Sequence, residues 1–381
     1  MHRDFVNPRP PLGVRLVGPV SLGPMRHLDA GGSLLVVGPT QSGKTSSLVV
    51  PAILNWPDAL VVTSVKRDVL EVTRAWRGRL GNVDVLEPGR DRGLTWNPLE
   101  GVSSLRHATR VARDLTLSPG ERGDGEFWNA LATKLVAALM VVASSRGEGI
   151  FAVANVVERR RLDEWATVSS DAGAILRGFL AYDPKTLDGV LSTAETMLYP
   201  WRFEQPCANV RSVVAGANSL YLCSPQGEQR HYEAMFRGAL RMVLEEQQRR
   251  VDARCSRRVL FVLDEAATVA SLEELDQLAA TVSGLDVTLI TVVQDFAQLR
   301  ARWGERAATI VNNHATRVVV AGLADPTVAT YLPELVVEGA VASIRRAPPR
   351  TAFVVAGHRA AFRVRLRPWW RWRRVRARGT R

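Results

Sequence analysis

Eight consecutive residues, Gly38-Pro39-Thr40-Gln41-Ser42-Gly43-Lys44-Thr45, place a lysine and a hydroxyl directly after a glycine loop, in the spacing G-x-x-x-x-G-K-[ST]. Such a loop turns successive backbone N–H groups inward, at the positive end of the helix that follows, and cradles phosphate oxygens. Lys44 would neutralise the β and γ phosphates of a nucleoside triphosphate, and the Thr45 hydroxyl would bind Mg²⁺. Gly38, Pro39, Thr40, Gln41, Ser42, Gly43, Lys44, Thr45 and Ser46 are the expected contacts to ATP. A second stretch, "VLFVLDEAA" from Val259 to Ala267, is an apolar run ending in Asp264 and Glu265. There Asp264 would hold Mg²⁺ through water and Glu265 would polarise the attacking water. An isolated acidic pair at a strand end often only caps a helix; coupled to the loop, the chemical reading is favoured. In a third stretch, "TLITVVQDFAQL", the first polar residue after the apolar run is Gln294. It is placed to contact both a γ phosphate and a moving segment, although a loop glutamine can simply cap the next helix.

This chemistry needs buried strands that deliver their C-terminal ends to one crevice. Apolar runs bounded by turn residues occur at Leu34 to Val37, Leu60 to Thr63, Val83 to Leu86, Ser219 to Cys223, Val259 to Leu263, Thr288 to Val293 and Arg317 to Ala321. They alternate with helical stretches such as Val69 to Arg77 and Tyr232 to Gln248, the pattern of a parallel sheet covered by helices. Ala352 to Ala356 and Phe362 to Leu366 could close the sheet as a hairpin. The fold class is α/β with a mostly parallel central sheet.

Lys44 and Asp264 are 220 residues apart, too far for the few strands that normally separate such elements. From about Glu100 to Val210 strand signals nearly vanish, and Phe127 to Ala143 and Leu187 to Trp201 carry helical spacing. An all-α domain inserted at 100–210 accounts for the gap. Residues 1–33 are rich in Pro and Gly and read as an arm, 1–29, ending in a short hairpin-like element.

The 381 residues carry 46% hydrophobic and 23% charged side chains, ordinary for a globular protein. The longest run without a charge is 16 residues, Ser212 to Gly227, and it contains Pro, Asn and Gly. A membrane-spanning helix takes about 17–25 mostly apolar residues, so neither such a helix nor a signal peptide is expected. Cys207, Cys223 and Cys255 match no metal motif and are too few for a disulfide framework, which implies an intracellular chain with buried thiols. The net charge is +12, and nine arginines with no acid fall between Arg363 and Arg381. Without that segment, 41 basic residues face 38 acidic ones, a net charge of +3.

The three chemical stretches and the segments joining them resemble the type IV secretion coupling proteins, the TraG/TraD-type conjugative DNA transfer ATPases. That family belongs with the FtsK and HerA translocases among the RecA-like pumps. The resemblance lies in "GPTQSGKTSSLVVPAILNWPDALVVTSVKRDVLE", "WNPLEG", "FWNALATKLVAALM", "LYLCSP", "LDEAATVASLEELDQLAA" and "VVQDFAQLRARWGERAATIVNNHATRVVVAG". It covers about residues 30 to 370, with Pro51 where the family often has proline. It implies a RecA-like P-loop NTPase domain in two parts, 30–99 and 211–366, interrupted by the all-α domain 100–210, which recruits substrate. Lys44, Thr45, Asp264, Glu265 and Gln294 match the family's motif positions and inherit their roles.

The resemblance further implies a homo-hexameric ring with ATP and Mg²⁺ bound between subunits. Its partners would be single-stranded DNA with a relaxase, or a secreted protein, together with the secretion channel at the inner face of the plasma membrane. A nucleotide-binding adaptor without motor activity, and a double-stranded DNA pump of the FtsK/HerA kind, are the alternative functions. Family members normally begin with transmembrane helices, and none is seen here. Ala266 to Val293 holds no Lys or Arg, so an arginine finger would come from Arg300, Arg302, Arg306 or Arg317.

The last stretch, "RPWWRWRRVRARGTR" at 367–381, interleaves tryptophan with arginine. Such a tail suits an anionic membrane surface, where Trp sits at headgroup level, or unpaired bases, on which Trp stacks. The plain alternative is a solvated charged end after the final strand.

Overall fold

The computed structural model describes residues 12–16, 26–28, 32–65, 67–90, 93–116, 124–224, 227–269, 272–333, 335, 344–357 and 361–380. Most of the expected arm at 1–29 lies outside them, as does Lys66. Two compact units divide the chain. The first runs to Asp84 and takes in Arg211–Cys223 and everything from Leu244; the second comprises Val85–Val210 and Ser224–Val243.

Thirteen strands are described: β1 (Leu12–Leu16), β2 (Arg26–Leu28), β3 (Ser33–Val37), β4 (Ala59–Ser64), β5 (Val83–Leu86), β6 (Thr95–Trp96), β7 (Cys207–Ala208), β8 (Ser219–Cys223), β9 (Val259–Leu263), β10 (Val287–Val293), β11 (Thr316–Val320), β12 (Thr351–Ala356) and β13 (Phe362–Arg365). Nine form one sheet in the order β13-β12-β11-β3-β10-β9-β4-β8-β5. From β11 to β8 every neighbouring pair is parallel, and β12 and β13 add an antiparallel edge. The central strands are unbroken apolar runs because helices cover both faces. Every residue of β3, β4, β9 and β10 is buried. The architecture is therefore the α/β fold with a mostly parallel central sheet that the apolar runs imply. β1 and β2 pair as an antiparallel hairpin.

Register carries the chemistry. Val293 lies opposite Val37, and Leu263 opposite both Thr291 and Thr63. Gly38, Gln294 and Asp264, which follow their strands, and Ser64, the last residue of β4, therefore lie along one edge of the sheet. The helix after the glycine loop opens as a π-helix, Thr45–Val49, before turning α over Val50–Asn55. Pro51 accounts for the widened turn: it has no N–H to give Ser47, and its ring would crowd that carbonyl. At the opposite edge the buried Arg77 donates to the carbonyls of Trp56 and Asp58, each at 2.6 Å, and to Ser219 Oγ at 2.8 Å.

The second unit holds six helices between Leu105 and Leu198, the short pair β6–β7, and the first part of helix Gln229–Asp252. It begins upstream of residue 100 and takes in 224–243, which lies between two segments of the first unit. One of its helices, Gly125–Arg146, has a mean hydropathy of 1.5 and is long and apolar enough, by length and composition, to cross a membrane. In this fold Leu135, Val136, Leu139, Met140 and Ala143 of that helix are buried. Trp96 and Trp201 pack edge to face at 6.1 Å, and each indole N–H finds a backbone carbonyl. Of the three cysteines only Cys223 is buried. Cys207 and Cys255 are exposed, because one lies on a two-residue strand and the other in the loop after a helix.

The C-terminal segment is folded. Trp369–Arg371 makes a 3₁₀ turn and Arg373–Gly379 a helix. Trp372 and Val375 form a buried cluster with Val50 and Leu54 of the loop-bearing helix, joined by Val72, Trp76 and Trp369. Arg378 donates to Leu54 O at 2.9 Å and Asn55 Oδ1 at 2.8 Å, placing its cation at that helix's C-terminus. The expected free tail is thus replaced by a docked helix. Trp372 is 7% exposed and Trp369 is packed in the cluster, whereas Trp370 keeps 42% of its surface free.

Candidate nucleotide site

A cavity of about 560 Å³ opens along the C-terminal edge of the sheet. Thr40, Gln41, Ser42, Gly43, Lys44, Thr45 and Ser46 line it, as do Asp264, Glu265 and Gln294. Three stretches that are remote in sequence thus meet at one place, because β10 lies between β3 and β9 in the sheet. Gly38 and Pro39 sit at the foot of the loop, and their carbonyls accept hydrogen bonds from Lys44 Nζ, the second at 2.7 Å. Gly43 has φ of 92°, the left-handed conformation that a Cβ would strain and that aims the loop at the cavity.

Thr45 Oγ1 donates to Asp264 Oδ2 at 3.5 Å. Asp264 is 7% exposed. Burial, then the neighbouring Glu265 and Asp68, push its carboxyl up to about 7, against the pull of Lys44 and the Thr45 hydroxyl. Burial lowers the Lys44 ammonium pKa, and Asp264 and Glu265 oppose that shift. A buried carboxylate beside a hydroxyl is a donor set suited to a hard divalent cation that keeps several waters. Ser42 Oγ, inside the loop, is buried with no hydrogen-bond partner. An unpartnered hydroxyl beside inward-facing amides fits a phosphate, so the residues present suit both Mg²⁺ and a nucleotide. Glu265 has φ of 55°. A non-glycine residue held there costs about 1–3 kcal/mol, a strain typical of functional positions.

Gln294 lines the cavity, and its backbone N–H donates to Gln298 Oε1 at 3.0 Å. Gln298 Nε2 in turn donates to Thr268 Oγ1 at 3.4 Å, on the helix that follows Glu265. The spacing Q-x-x-x-Q-L marks Gln294 and Gln298 in the sequence, but it does not show that Gln298, on helix Phe296–Trp303, bridges the two strand ends. None of Arg300, Arg302, Arg306 and Arg317 lines the cavity, and Arg306 is paired with Asp276. The arginine that does line it is Arg350, reached through Pro348 and Pro349 and held at φ of 64°. The rest of the wall is Val292 and Val293 at the end of β10, together with Ser64, Asp68, Val50, Val72, Trp369 and Trp370. No motif marks the two tryptophans; only the docking of the C-terminal helix brings them there.

Sheet order, glycine loop and acidic strand together define a RecA-like P-loop NTPase fold. The chain belongs to the type IV secretory system conjugative DNA transfer family, whose profile matches residues 17–342. It is similar to the conjugal transfer protein TraG of Escherichia coli, with 24% identity over 311 residues that cover 71% of this chain and 49% of that protein. VirD4 of Rhizobium rhizogenes is 23% identical over 330 residues, covering 80% of this chain and 49% of VirD4. The chain therefore spans about half the length of these relatives. Among solved structures, the plasmid coupling protein TrwB in complex with a GTP analogue shares the fold. Its TM-score is 0.69 at 18% identity, covering 89% of this chain and 86% of that one.

Proposed function

We propose that this chain is the ATP-hydrolysing motor part of a conjugative coupling protein. It recruits DNA, as single strands carrying a relaxase, or protein substrates, and drives them into a type IV secretion channel. The observation that carries this reading is the convergence of the glycine loop, the acidic pair and Gln294 on one cavity, within a chain of the conjugative DNA transfer family. TrwB, which shares the fold, has been solved with ADP and Mg²⁺ and with an ATP analogue.

The loop amides and Lys44 bind the phosphates of the substrate ATP and offset their charge. Thr45 and Asp264 would hold Mg²⁺, which would supply positive charge to offset that of the phosphates. Glu265 accepts a proton from the attacking water as a general base. Gln294 contacts the γ-phosphate end, and the Gln298 bridge to Thr268 lets the acidic strand and the sensing strand move together. In this reading the first unit is the motor and the helical second unit recruits the substrate. The ring is a hexamer at the inner face of the plasma membrane.

The test is steady-state ATP hydrolysis by the purified chain with Mg²⁺, alone, with single-stranded DNA and with duplex. Stimulation by single strands supports the proposal, and stronger stimulation by duplex favours a double-stranded DNA pump. Nucleotide binding with negligible turnover, in a chain that stays monomeric with ATP and DNA, overturns it in favour of an adaptor.

A further inference from the structure

The cavity has two chemically different ends. The loop, Lys44 and the acidic pair are polar, whereas Val50, Val72, Trp369 and Trp370 form an apolar and aromatic end. A nucleoside triphosphate has the same division, with charge at one end and a flat aromatic base at the other. We propose that Trp370 is the stacking platform for the nucleobase, presented by the docked C-terminal helix. This inference rests on the nucleotide-binding reading given above.

Three observations support it. Trp370 alone of the segment's three tryptophans keeps a large free surface, 42%, and that surface borders the cavity. The ring is held in place: the Trp369 ring meets it edge to face at 5.8 Å, and the Arg350 guanidinium lies 5.8 Å from its centroid, within cation–π range. The segment that carries it is anchored, through the buried Trp372 and Val375, the Arg378 hydrogen bonds to the loop-bearing helix, and Trp372 Nε1, which donates to Arg367 O at 3.0 Å. Gly379 belongs to the same packing, since a Cβ there would come within 2.7 Å of Trp369 Cζ3.

Calorimetric titration of the 381-residue chain with ATP, GTP and inorganic tripolyphosphate tests this. In Trp370→Ala both nucleotides should bind about tenfold more weakly, the loss expected for one base–aromatic stack. Tripolyphosphate, which has no base, should bind unchanged, and Trp370→Phe should restore nucleotide affinity to within about threefold. Wild-type affinity for ATP in Trp370→Ala overturns the proposal, as does a parallel loss of tripolyphosphate. If the wild-type chain binds none of the three ligands, the nucleotide-binding reading itself falls, a result distinct from wild-type and Trp370→Ala proteins that bind equally. An unchanged melting temperature for Trp370→Ala shows that the segment stays docked.

Discussion

The two ends of the cavity at the glycine loop are built in opposite ways. At the loop end the wall is largely the backbone of Thr40 to Ser46, with Gly43 at φ of 92°, held by a helix and by a sheet in which β3 pairs on both sides. At the other end the wall is side chain, with Trp369 and Trp370 brought in by a turn and a helix of seven residues after the last strand, and Arg350 by the residues just before β12. Backbone amides are fixed by the fold and present positive potential whatever their side chains are, so the loop end depends on geometry. The aromatic end depends on packing: a helix of seven residues is not stable by itself, and it persists here because Trp372 and Val375 are buried against Val50 and Leu54. The two ends are nevertheless joined, since the helix that carries Lys44 and Thr45 at its start offers Val50, Leu54 and Asn55 to the C-terminal segment.

The contrast predicts how each end breaks. Glu265→Gln should lower the rate of ATP hydrolysis about 10²- to 10⁴-fold while nucleotide still binds, because only proton acceptance is lost; Lys44→Ala should abolish both binding and turnover. Steady-state kinetics beside calorimetry separates these outcomes, and a Glu265→Gln protein with wild-type turnover removes that residue from the chemistry. Trp372→Ala should cost about 3 kcal/mol of stability, the usual loss for truncating a buried aromatic, read as a lower urea midpoint. An unchanged midpoint would mean that the segment is not docked.

Acid should act on the sheet that supports the loop. His314 is wholly buried, with Nε2 against Thr291 Oγ1 on β10 and Nδ1 against Ile310 O. Burial, and secondarily Arg317, lower its pKa from 6.5 to about 4, against the pull of the Ile310 carbonyl. The unfolded chain therefore binds the proton first. The stability from neutral His314 is complete above pH 6.5 and is lost as the pH falls from there to about 4. The steepest slope this one group can add is about 1.4 kcal/mol per pH unit. Urea unfolding between pH 7 and 4 should show this slope, and a His314→Gln variant should flatten it. The smallest effect is that of Arg378→Ala, about 1 kcal/mol, from losing charge-assisted hydrogen bonds at a helix C-terminus.

Much of this was legible in the residues alone. All nine described strands of the large sheet lie within a residue at each end of the runs read from the sequence, and at its buried centre this follows because a strand covered on both faces is largely apolar. The glycine loop, Asp264, Glu265 and Gln294 were readable because each is a polar break directly after such a run, and strand ends at one edge of a parallel sheet converge. Residue types and local spacing therefore specified the loop end of the cavity, since backbone conformation there follows from glycine and from the strand–helix junction. Arg350, Trp370 and the Gln298 bridge were settled only by tertiary packing. Their positions follow from which distant surfaces meet, and a tryptophan among arginines has the same composition whether it faces solvent or is buried on a neighbouring helix.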